Sequence, residues 1–202
     1  MDIAEAMSLF SGFFYGNGVM MKNIRKLVWA AVFLALGLIL PFFTGQIPEI
    51  GGKLLPMHIP VLLCGFVCGW KYGLLVGFIT PLFRSMLFGM PPLLTAAGMA
   101  FELAAYGMVT GILYNRMAKS KARIYVSLIT AMVVGRIVWG LVSVVLYGIS
   151  GAALTWQIFL ANSFLNAIPG IILQLVAVPM IILAFEKTGV VTINEEYHPR
   201  TC

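Results

Sequence analysis

Six apolar runs joined by short polar connections leave this chain few architectures. They extend roughly over residues 27–43, 57–69, 74–88, 95–117, 124–147 and 158–185. A helix crossing the hydrocarbon core needs about 20 predominantly apolar residues. Backbone polar groups in lipid must be satisfied within the chain, which favours helices. Only 10% of the residues are charged and the mean hydropathy is +0.99, against about 25% charged in a soluble domain. That composition cannot furnish a soluble surface. The pattern therefore predicts an all-α integral membrane protein, a six-transmembrane-helix bundle with both termini cytoplasmic. The second and third runs are short, so they are expected to be tilted, extended through Trp70 to Gly73, or only partly spanning.

Orientation follows from the positive charges, which cytoplasmic loops retain. Of thirteen Lys and Arg, ten fall on the side of the N-terminus: Lys22, Arg25, Lys26, Lys71, Arg116, Lys119, Lys121, Arg123, Lys187 and Arg200. Lys53 alone sits in an outer loop, and Arg84 and Arg136 lie inside apolar runs. The net charge of +6 is thus explained by topology rather than by nucleic acid, since no basic stripe interleaved with aromatics occurs.

Residues 1–20 lack the basic start of a signal peptide. They are read as an N-terminal extension, either disordered or lying ahead of a true start at Met20 or Met21. Residues 21–187 form the membrane domain and 188–202 a cytoplasmic tail. Cys64 and Cys68 have helical spacing but lack the further ligands a metal site wants, so no metal or cofactor is expected. Trp29, Trp70 and Trp156 fall where interfacial aromatic belts form.

Ionisable residues at membrane depth are costly and serve as functional candidates. Three occur: Arg84, Glu102 and Arg136, all placed in the outer half or at the midplane. A buried ion pair between helices is the plain reading. Two cations against one anion, however, leave a surplus positive charge that a substrate carboxylate would satisfy through paired hydrogen bonds to a guanidinium. Asn162 and Asn166 share one helix face, with Gln174 two turns further along it. They serve either ligand contact or helix-to-helix bonding. His58 stands at the outer start of the second helix, and Trp139 follows Arg136 by one turn, where it could stack on a ligand. These groups converge on one outward-facing pocket, beneath a connecting loop over residues 44–60 that is read as a lid.

Small residues recur four apart at Ala31 and Ala35, Gly65 and Gly69, Gly73 and Gly77, Ala100 and Ala104, and Gly107 and Gly111, a spacing that lets membrane helices approach closely. No phosphate-cradling GxxxxGK[ST] sequence, HExxH or GxSxG occurs. The chain is accordingly not expected to hydrolyse ATP or to be an enzyme.

The opening RKLVWAAVFLALGLILPF, the block LPMHIPVLLCGFVCGWKYGLLVGFITPLFRSMLFGMPP, the segment MAFELAAYGMVTGILY and NSFLNAIPGIILQ together resemble the substrate-binding S components of energy-coupling factor (ECF) vitamin transporters. The resemblance covers about residues 21–185. It implies a six-helix subunit of the bacterial cell membrane that binds a vitamin on the outer side, near the first outer loop. Delivery would involve a transmembrane coupling subunit and two cytoplasmic ATPases. It also implies that Ala31 and Ala35, matching the family's AxxxA surface, face the coupling subunit. The nearest branch includes pantothenate transporters, which makes pantothenate the leading ligand. Pyridoxine or pyrimidine precursors, folate, riboflavin and queuosine precursors remain alternatives. The contrasting expectations are a stand-alone ion-coupled transporter of a small organic anion and a membrane enzyme.

Overall fold

The computed structural model describes residues 3–43, 55–118, 120–150 and 168–187, the side chains of 3–22 and of Ser150 excepted. These residues form α1 (Ile3–Phe43), α2 (His58–Cys68), α3 (Trp70–Phe88), α4 (Leu93–Arg116), α5 (Lys121–Ser150) and α6 (Ile168–Lys187). No strand occurs among them. Residues 3–20, expected as an extension, continue α1 as helical backbone. Four segments are long and apolar enough to cross a membrane: Asn23–Phe43, Leu93–Arg116, Lys121–Ile149 and Ile168–Lys187. The 11-residue α2 reaches only about 16 Å and does not span a bilayer alone. The third apolar run does extend back to Trp70.

A single residue, Gly69, turns α2 into α3. Its φ of 93° is open to glycine and strained for a residue with a Cβ. Its amide donates to the Gly65 carbonyl at 3.2 Å, and its own carbonyl accepts from Gly73 at 2.9 Å. The chain reverses so tightly that a Cβ on Gly73 would stand 2.8 Å from the Gly65 Cα and 2.5 Å from the Gly107 carbonyl oxygen of α4. Three helices thereby touch backbone to backbone. Between membrane helices, close van der Waals packing of this kind replaces the hydrophobic effect.

Packing partners establish the helix directions. Gly73 meets Gly107, Gly77 meets Leu103, and Trp70 meets Gly111, so α3 and α4 are antiparallel. Tyr106 lies against Gly135, and Trp139 against Gly98, which makes α4 and α5 antiparallel as well. Helix α1 runs parallel to α3, with Gly37 on Thr80 and Phe42 edge-on to Phe88 at 4.9 Å. The bundle therefore has one end that gathers residues 43, 88 and 93, here the Phe43 end, with His58 at the start of the short α2 lying below it. The opposite end gathers 69, 116, 121 and 187, here the Gly69 end.

The surface is inverted relative to a soluble protein. Leu27, Ile137, Leu141, Val144 and Met180 are exposed, while His58, Arg84, Glu102 and Gln174 are buried. An apolar exterior around polar interior groups is the arrangement a lipid solvent selects. Ala31 and Ala35 lie on the exposed face of α1, with Ala30 and Phe33 turned inward.

Candidate functional site

Glu102 organises a buried cluster toward the Phe43 end. It sits nine residues into α4, with 3% of its side chain exposed. Its Oε1 lies 3.2 Å from Arg136 Nη1 of α5 and accepts a hydrogen bond from the Tyr106 hydroxyl at 3.2 Å. His58 Nε2, at the start of α2, stands 3.7 Å from the same oxygen, and its ring meets Tyr106 edge-on at 5.2 Å. Three helices thus bring one anion, one guanidinium, one imidazole and one phenol together inside an apolar bundle.

Local sequence explains the convergence. Glu102 and Tyr106 are four apart on α4 and so share a face. Gly135, immediately before Arg136, has no side chain to hold the Tyr106 ring away: a Cβ there would come within 3.0 Å of it. Pro60 falls in the first turn of α2, where a missing amide hydrogen is tolerated, and His58 is thereby carried at the helix start.

The hydrogen-bonding capacity of the cluster is incompletely used. Arg136 Nε and Nη2 and both ring nitrogens of His58 are buried without a hydrogen-bond partner among the described residues. Native interiors leave few such groups, and each costs about 1–3 kcal/mol when nothing meets it. A complementary ligand would recover that cost.

Arg84 takes a different course. Its Nη1 donates to the Leu38 carbonyl of α1 at 2.6 Å, and its guanidinium stacks on Phe42 at 5.0 Å and Phe88 at 5.6 Å. The surplus cation that the sequence implies is therefore engaged by the end of α1. It does not join the Glu102 cluster.

Of the remaining sequence candidates, Trp139 packs against Gly98 one turn from Arg136, with its indole nitrogen 3.5 Å from where a Cβ on that glycine would be. Asn162, Asn166 and the loop over 44–54 lie outside the described residues. Tyr106 is absent from the sequence candidates, although its place four residues after Glu102 was a usable signal.

A second polar knot closes the Gly69 end. Tyr114 of α4 donates to Glu186 of α6 at 2.6 Å. Arg123 of α5 donates to the same carboxylate oxygen at 2.9 Å and to the Tyr114 hydroxyl at 2.9 Å. The guanidinium also lies over the Tyr114 ring at 4.1 Å.

The family model described as the ECF transporter, substrate-specific component matches residues 25–182. No curated protein and no solved structure matches the chain.

Proposed function

The chain belongs to the family of ECF transporter substrate-specific components, and on that premise we propose that it captures a small organic anion, with pantothenate as the leading candidate. Capture takes place where His58, Glu102 and Arg136 meet, on the outer face of a bacterial cell membrane. The bundle threads that membrane in six passes, the second of them, α2, only partly spanning, with both termini in the cytoplasm, as the Lys and Arg distribution favours. The bound molecule passes inward through a coupling subunit energised by two ATPases, and the chain itself performs no covalent chemistry. The outward face of α1 at Ala31 and Ala35 is the surface offered to the coupling subunit.

One observation carries this reading: a buried, charged cluster toward one end of an apolar bundle has donors left unfilled by the described residues. A purely structural ion pair gains from complete pairing, since a buried charge is tolerated only when its bonds are satisfied. The ion-coupled alternative would use Glu102 as an exchanging carboxylate. Arg136, Tyr106 and His58 all crowd one of its oxygens, which favours a fixed anchor instead.

Mass spectrometry of small molecules released from gently purified protein tests the proposal. A stoichiometric vitamin establishes a capture subunit and names its ligand. An empty protein that binds no vitamin in titration overturns the reading in favour of ion-coupled transport.

A further inference from the structure

Counting along three helices from the knot at the Gly69 end brings another polar side chain to the level of the Glu102 cluster. Tyr114 and Arg123 both meet Glu186. Twelve residues back from Tyr114 along α4 stands Glu102 (114 − 102). Thirteen residues onward from Arg123 along α5 stands Arg136 (136 − 123). Twelve residues back from Glu186 along α6 stands Gln174 (186 − 174). At about 1.5 Å per residue, all three lie some 18–20 Å from the knot.

Gln174 is fully buried and belongs to the stripe Gly170, Gln174, Val178 and Ile182 that α6 turns inward. Neither its amide oxygen nor its amide nitrogen has a hydrogen-bond partner among the described residues. A buried carboxamide with both donor and acceptor idle is a worse core residue than leucine or methionine. Its polarity calls for a polar partner.

Arg136 presents the complementary half. Its Nη1 is engaged by Glu102, while Nε and Nη2 have no hydrogen-bond partner among the described residues. These two atoms form the side edge of the guanidinium, whose parallel N–H groups match the two oxygens of a carboxylate. Arg84 is held elsewhere, its Nη1 on the Leu38 carbonyl and its guanidinium over Phe42 and Phe88.

We infer that the captured molecule carries two separate polar groups, a carboxylate for the Nε–Nη2 edge of Arg136 and an amide or hydroxyl for Gln174, which makes Gln174 a specificity-determining residue. The inference rests on the chain being a capture subunit. It adds which atoms grip the ligand, and it separates Arg84 from that role.

The test uses the full chain in detergent micelles and matched probes: pantothenate with pantothenol, biotin with biotinamide, nicotinate with nicotinamide, and the neutral riboflavin and pyridoxine. Binding is read by calorimetry and by thermal shift. The expected result is binding of a carboxylate with rejection of its neutral counterpart. Arg136→Lys keeps a cation for Glu102 and removes the two-pronged edge, so affinity should fall roughly 10- to 100-fold, the range of a charge-assisted bond. Gln174→Met keeps the volume and removes the amide. It should weaken binding roughly tenfold, on the scale of one hydrogen bond, while making the unliganded protein more stable rather than less and keeping the carboxylate preference intact. Tight binding of a neutral vitamin, or full affinity in both variants, overturns the inference while the capture reading stands. Failure to bind any probe, together with no small molecule in the extract, overturns both.

Discussion

The two polar knots of this bundle use the same kinds of side chain to opposite ends. At the Gly69 end, Tyr114, Arg123 and Glu186 are bonded to one another in a closed triangle. Toward the Phe43 end, Glu102 meets Arg136, Tyr106 and His58, yet among the described residues two nitrogens of the arginine and both of the histidine have no hydrogen-bond partner. The exposures differ too: Glu186 retains 30% of its side-chain surface and Glu102 only 3%. A closed triangle at the margin is a rivet, because each group is satisfied and water screens what is left. An open cluster in the interior stores unmet hydrogen-bonding capacity, which binding can use.

Glu102→Ala should break the comparison most severely. It strands the Arg136 guanidinium in the interior, and removing one partner of a buried pair costs about 3–5 kcal/mol. Thermal unfolding in detergent would read the loss, and an unchanged midpoint would show that Arg136 is solvated and the cluster not truly buried. Arg84→Met comes next. Losing its bond to the Leu38 carbonyl should cost about 2 kcal/mol, with ligand affinity preserved. A collapse of affinity without loss of stability would return Arg84 to the binding site.

Smaller still is Tyr114→Phe, which opens the triangle. It should lower stability by about 1 kcal/mol and leave ligand binding untouched. A loss of binding would mean that the two knots are coupled through the length of α4. Ala31→Leu or Ala35→Leu should be nearly silent in stability, since both positions are exposed on α1. Their effect should appear only in copurification with the coupling subunit, and unchanged assembly would remove this face from the interface.

Members of the candidate site were readable residue by residue. Arg84, Glu102 and Arg136 stand out because ionisable groups in apolar runs are rare, and His58 stands out by its place at a helix start. Their grouping was less legible. Charge counting places both arginines against one glutamate, whereas the rotation of α3 carries Arg84 to the last turns of α1 and leaves Arg136 with Glu102. Gln174 shows the same division. Its helix face follows from spacing alone, but that its amide stands at the level of Arg136 with no partner among the described residues depends on how α6 is set against α4 and α5.

What the amino-acid sequence determined by itself is the solvent and the elements. A succession of apolar runs, some of them long enough to cross a bilayer, and a deficit of charge dictate helices in a membrane, because unpaired backbone groups are untenable in lipid. These are local properties that no packing arrangement reverses. The tertiary structure alone decided the one-residue reversal at Gly69, the glycine seam joining α2, α3 and α4, and the choice of partner for each buried charge. Those depend on angstrom-level helix approach and rotation. A helix face offers several partners of equal chemistry, and only packing selects among them.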